Sequence, residues 1–201
     1  DYIGLNPLNV SVTNLDDDSF GILVTAISGN TSEAGTTATF DVRLKSAPGI
    51  NVTIDISSST EAEGIISGSV ANNLTLTFTP TDWMNNQTVT ITGQDDNFQD
   101  GDQIYQIILD PAQGDPAYAG IDPTNILLQN MDNDTVGVSI SAISNTINET
   151  GTTATFSVVL TSDPGQDATI DFSSSNTAEG QLDTPTVTVG FVVFDWFTPQ
   201  M

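Results

Sequence analysis

The chain has no cysteine and no histidine, and only Arg43 and Lys45 stand against 26 acidic side chains, a formal charge of −24. Without thiolate or imidazole, the usual ligands of zinc and copper are missing, and so is the commonest general base. Lack of cysteine leaves the redox compartment open. The scarcity of positive charge disfavours nucleic acid and anionic membrane surfaces as partners. No apolar run approaches the ~20 residues needed to span a bilayer, and no signal peptide is visible, so no membrane insertion is expected and any export signal is expected outside this chain. Aromatics are only 7% of the residues. Acidic, aromatic-poor chains are often disordered, but the apolar residues here alternate in strand-like patterns, which favours a packed fold.

What is present is a repeat. Residues 137–180 overlay 21–64 at a constant shift of 116 positions: Glu33, Gly35, Thr36, Thr37, Ala38, Thr39 and Phe40 return as Glu149, Gly151, Thr152, Thr153, Ala154, Thr155 and Phe156. Ser57, Ala62, Glu63 and Gly64 return as Ser173, Ala178, Glu179 and Gly180, while Tyr2, Gly4, Pro7 and Asn14 match Tyr118, Gly120, Pro123 and Asn130. A period this long is a whole domain, not a solenoid turn. The phase divides the chain into the end of one unit (1–20), a complete unit (21–136) and the front half of a third (137–201). About 115 residues suffice for a core of their own.

Ala38, Phe40, Val42 and Leu44 alternate with polar residues, and Ala154, Phe156, Val158 and Leu160 do the same. Period two with one apolar face predicts half-buried strands. Similar patterns lie near 21–28, 51–57, 73–79, 87–92, 103–110 and 125–130, with a final strand of the preceding unit near 8–14. Short strands at this spacing predict an all-β antiparallel sandwich. Pro48-Gly49 and Pro164-Gly165 predict type II hairpin turns. Trp83, repeated as Trp196 at a shift of 113, is expected in the core. The third unit reaches Met201 before its last strands.

The chemistry concentrates in Asp95-Asp96-Asn97-Phe98-Gln99-Asp100-Gly101-Asp102, an inter-strand loop with four carboxylates. Unit charges ~4–5 Å apart repel by roughly 3–4 kcal/mol at an effective dielectric near 20, so such a loop is costly without a cation. Carboxylate, amide and carbonyl oxygens without His or Cys select Ca²⁺. The helix-flanked, Glu-terminated pattern of an EF-hand is missing, so several loops must share the ion. Further acidic elements recur with the period: Glu33 and Glu149 before the second strand, Glu63 and Glu179 after the third, and the clusters Asp16, Asp17, Asp18 and Asp132, Asn133, Asp134. One pole of a sandwich can gather such connections.

A Glu two residues before a Gly ahead of a strand, a DDxxxDGD loop followed by Tyr105, and a closing DDD or DND together resemble the Calx-beta calcium-binding repeat of large bacterial surface and adhesin proteins. The resemblance covers the whole middle unit and implies Ig-like sandwiches with calcium at one pole, beside the next domain. It implies ligands from Glu33, Asp95, Asp96, the Phe98 carbonyl, Asp100, Asp132, Asn133 and Asp134, with Asp102 and Glu63 as further candidates. Glu149 and Glu179 would serve the third unit, and Asp16, Asp17 and Asp18 the preceding one. Asn133 stands where the earlier cluster has Asp17, trading a charge for an amide oxygen.

The expected function is mechanical and extracellular: a calcium-stiffened repeat region of a bacterial cell-surface fibre or adhesin stalk. Its partners would be neighbouring repeats, other copies of itself, or a surface glycan or protein ligand. One alternative is a filament subunit completed by strand addition between chains; a second is a polysaccharide-binding module. Paired carboxylates also serve glycosidases, but their periodic return fits a structural role, and the chain is read as non-enzymatic. Sequons occur at Asn9, Asn30, Asn51, Asn73, Asn86, Asn133 and Asn148; a Thr- and Asn-rich composition produces many such matches, and the sequence leaves open whether any carries a glycan.

Overall fold

The computed structural model describes residues 3–183, 186–192 and 195–200, so Tyr2 of the repeat and the terminal Met201 lie outside the described residues. The described residues form strands and turns without a helix. Ten strands fall between Ile22 and Met131: β1 (Ile22–Val24), β2 (Thr31–Ser32), β3 (Thr37–Leu44), β4 (Val52–Ser58), β5 (Gly64–Ile66), β6 (Leu74–Phe78), β7 (Gln87–Gly93), β8 (Gln103–Leu109), β9 (Gln113–Gly114) and β10 (Ile126–Met131). One sheet has the order β1-β3-β7-β5. The other runs β2-β10-β8-β4-β6, with β9 paired to β4.

Inward positions alternate as the sequence pattern requires. On β3, Ala38, Phe40, Val42 and Leu44 are buried, and on β4 so are Val52, Ile54 and Ile56. These meet Phe78, Ile91, Ile107, Leu109 and Tyr118 in a single core between the two sheets, a β-sandwich arrangement. Each such side chain contributes about 1.5–3 kcal/mol on burial. Trp83 is only partly buried and packs against this core's edge, where its carbonyl receives the Leu44 amide at 3.0 Å.

Three expectations are corrected. No strand forms between Leu5 and Phe20; Leu8, Val10 and Val12 are instead 93%, 88% and 85% exposed. Their counterparts on β10 are held between β8 and β2, whereas Leu8, Val10 and Val12 pair with no strand among the described residues. The Pro-Gly turns are not hairpins, because β3 and β4 belong to different sheets and the turn at Ser46–Gly49 crosses between them. Gly165 takes the positive φ of 66° suited to a type II turn, but Gly49 does not. The strand expected at Ala154–Leu160 narrows to three residues, Val158–Leu160, and of the stretch corresponding to β7 only Gln200, the counterpart of Gln87, bridges it among the described residues, at Val158.

Beyond residue 136, β11 (Val138–Ile140) pairs with β12 (Val158–Leu160), and β13 (Ala168–Ser173) pairs with β14 (Thr186–Phe191). Val138 faces Leu160 as Ile22 faces Leu44, and Phe172 faces Val187 as Ile56 faces Leu74. The registers are the same once the loop before β14 is shortened by three residues. Every strand pair described is antiparallel except β2 with β10.

Candidate metal centre

Three segments converge where β7 ends and β8 begins. The parallel pairing of Asn130 with Thr31 and Met131 with Ser32 sets the exit of β10 beside the turn that carries Glu33. Gly93 closes the other side. A Cβ there would lie 2.2 Å from the Ser32 carbonyl oxygen, so only glycine lets β7 approach this closely and deliver residues 95–102 against that turn.

Glu33 is 5% exposed, and its Oε2 accepts the Asn133 amide at 3.0 Å. Carboxylate oxygens of Glu33, Asp132 and Asp134 lie within 4.8 Å of one another. Asp132 is held by two amides, accepting Asp134 N–H at 2.7 Å and Gly101 N–H at 2.8 Å. Asp102 accepts the Asp132 amide at 3.2 Å, and Asp95 accepts the Asn133 side-chain amide at 3.2 Å. Asp96 folds its own loop by accepting Phe98 N–H at 2.7 Å, and the Phe98 carbonyl accepts Asp100 N–H at 3.0 Å.

Electrostatically the cluster is frustrated. Burial raises the Glu33 pKa, which the Asn133 amide partly offsets, and the neighbouring Asp96, Asp132 and Asp134 carboxylates push it further. Asp134 is also raised, first by burial and then by Asp132, Asp95, Asp96 and Asp100. Asp134 Oδ2 is buried with no hydrogen-bond partner among the described residues. An unpartnered buried carboxylate oxygen is costly, and acidic neighbours make it worse. A cation relieves both problems, and the donors here are all hard oxygens of the kind Ca²⁺ accepts.

Glu63 faces the same loop from the side of β5. Its pKa is raised by burial, then by Asp100 and Asp96, against a lowering contact from the Asn130 side-chain amide at 3.4 Å. Asn130 escaped the sequence reading. It is 1% exposed, donates to the Gln94 carbonyl at 2.8 Å, and leaves its own Oδ1 buried without a partner among the described residues. A polar residue at an inward position of β10, repeated as Asn14, is the signal that could have found it.

Thus Glu33, Glu63, Asp95, Asp96, Phe98, Asp100, Asp102, Asp132, Asn133 and Asp134 gather at one pole. The other candidates do not join them. Asp16, Asp17 and Asp18 sit on the exposed leading segment, where among the described residues Asp16 accepts only the Asp18 amide at 3.1 Å. Glu149 and Glu179 are exposed and line one cleft of the last segment with Phe156 and Phe172. No protein-family model matches the chain, and no curated protein matches it significantly in sequence.

Proposed function

We propose that the chain is part of a tandem array of Ig-like, Calx-beta-type β-sandwich repeats of about 116 residues, stiffened by calcium at the pole between successive repeats. The unpartnered buried Asp134 Oδ2, beside Glu33 and Asp132, carries this reading. Glu33, Asp132 and Asp134 would hold the ion, with Asp95, Asp96 and Asp100 completing an oxygen shell. Neutralising them removes repulsion that otherwise splays the loop from the β10 exit. Because Asp132 and Asp134 begin the link to the following segment, ion binding would fix the direction in which that link leaves. The role is mechanical, suited to an extracellular fibre or adhesin stalk on a bacterial surface, where calcium reaches the ~10⁻⁴–10⁻³ M range such modules bind.

Thermal unfolding tests it. For a Kd of ~10⁻⁴ M, about 10 mM calcium stabilises by about 2.7 kcal/mol, a rise of roughly 10 °C over the melt in chelator. Equal melting temperatures in the two conditions overturn the reading.

The exposure of Leu8, Val10 and Val12 favours a second reading. This alternating apolar stretch would add as a strand to an open sheet of another chain, building a filament. Size analysis across concentrations separates the two, since a species monomeric throughout rejects the filament.

A further inference from the structure

The acidic loop does more than face an ion. Its far side meets the chain beyond β12, where the Asn97 carbonyl accepts the Asp163 amide at 2.7 Å. Phe98, Gln99 and Asp100 wall one side of a cleft whose other side is Asp163, Pro164 and Gly165. A Cβ added at Gly165 would sit 3.7 Å from the Phe98 ring, ordinary van der Waals contact. The segment connecting β10 to β11 is tied in as well, through Val136 N–H to Gln99 Oε1 at 3.3 Å.

Asp163-Pro164-Gly165 is the counterpart of Ala47-Pro48-Gly49, and against the latter turn no acidic loop lies among the described residues. There the Ala47 amide, equivalent to the Asp163 amide that Asn97 receives, makes no hydrogen bond among the described residues. Ala47, Gly49 and Ile50 are exposed, Ile50 at 56%. The turn is nevertheless held from within its own unit. Asp115 Oδ2 accepts the Gly49 and Ile50 amides at 2.6 and 3.1 Å, and the Tyr118 hydroxyl donates to the Ser46 carbonyl at 2.6 Å. It lies at the end of β3 remote from Gly93, since Thr37 pairs with Thr92 at one end and Leu44 with Ile22 at the other.

From these observations we infer that the Pro-Gly turn of each repeat is the docking platform for the acidic loop of the repeat before it, and that the occupant of the surface made by exposed Ala47, Gly49 and Ile50 around buried Pro48 is the preceding repeat's counterpart of Asn97–Asp100. One backbone hydrogen bond and a cleft walled by the Phe98 ring define the joint. The loop then has two faces: Asp95 and Asp96 toward its own pole, Asn97 and Phe98 toward the next repeat, with Asp100 bordering both. An ion that orders the first face presents the second. This inference rests on the reading of the chain as a calcium-stiffened array, and deepens it by naming the surface through which stiffness passes.

The absence of cysteine makes the test direct. Spin labels at Thr77→Cys and Thr169→Cys, both exposed strand positions, report the distance between the two units of the 201-residue chain by pulsed electron–electron resonance. In calcium a narrow distribution is expected. Two variants on the turn break the joint from opposite directions: Asp163→Pro deletes the amide that Asn97 accepts, and Pro164→Asp sets a carboxylate beside Asp100. Each should broaden the distribution, and isothermal titration should still show calcium binding. Wild-type width in both variants overturns the docking proposal even if calcium binds. No calcium heat in the parent chain overturns the functional reading instead, and the width of the variants against the parent still decides whether the joint exists.

Discussion

Glu33 accepts the backbone amide of Asn133 at 3.0 Å, a bond that spans 100 residues and ties the turn after β2 to the exit of β10. The same carboxylate lies within 4.8 Å of acidic oxygens on Asp132 and Asp134, where each like-charge pair costs about 3–4 kcal/mol at an effective dielectric near 20. Glu33→Gln keeps an acceptor for Asn133 and removes one charge, so its two effects have opposite signs. In chelator the variant should melt at or above the parent temperature. In calcium it should bind roughly tenfold or more weakly, about 1.4 kcal/mol or more. Melts in both conditions with a calcium titration check this, and unchanged affinity would remove Glu33 from the site.

Gly93 sets how closely loop 95–102 approaches Glu33. Gly93→Ala puts a methyl 2.2 Å from the Ser32 carbonyl and 2.5 Å from Asn130 Oδ1, both fixed by pairing or burial. Neither neighbour can give way cheaply, and overpacking of this kind costs typically about 1–3 kcal/mol. The expected outcome is a lower denaturation midpoint in chelator together with weaker calcium binding, because the two halves of the cluster are pushed apart. Gly101→Ala is the contrast: its φ of 77° strains the backbone, but nothing lies within 4 Å of an added Cβ, so its cost is local to the loop.

Much of this was legible in the sequence, for identifiable reasons. Phe40, Val42 and Leu44 alternate with polar residues, and period two cannot be satisfied by any element but a strand with one face buried. The acidic loop was legible because four carboxylates in eight residues need a physical explanation whatever the fold. The fate of residues 8–14 was not, since the pattern of Val10 and Val12 states a preference for a strand but not whether a sheet is there to receive it. Nor was the path of the Pro48 turn. A hairpin and a crossing between sheets use the same residues, and here Asp115 and Tyr118, over sixty positions away, decide in favour of the crossing. Asn130 was hidden for a similar reason, because its role depends on Gln94 and Glu63 arriving from other strands.

Asp115 gives a pH dependence at the pole remote from the acidic cluster. The Ala117 amide first, then those of Ile50 and Gly49, hold its carboxyl below the ordinary 3.8 despite burial acting the other way. A carboxylate whose pKa is lower in the folded than in the unfolded chain contributes stability that is complete above pH 3.8 and lost as pH falls through the folded value. Asp115→Asn should therefore be less stable than the parent at neutral pH, and the gap should close in strong acid. Denaturant titrations of both proteins in chelator, from neutral pH downward, read this gap with the titration of the acidic cluster common to both. A gap independent of pH would mean that the charge on Asp115 does not contribute.

Tyr118 separates the stability of the fold from the chemistry of the acidic pole. Its side chain is fully buried, its ring meets Phe20 edge-on at 5.3 Å, and its hydroxyl donates to the Ser46 carbonyl at 2.6 Å while accepting the Ser46 amide at 3.2 Å. Tyr118→Phe keeps the ring and leaves the Ser46 groups buried without that partner, a loss of about 1–3 kcal/mol. Because β3 places Ser46 at the opposite end of the sandwich from Gly93, the variant should unfold at lower denaturant yet bind calcium as the parent does. Loss of calcium affinity in this variant would show that the two poles are coupled through β3, and the proposed docking turn would then have to be treated as one unit with the acidic cluster.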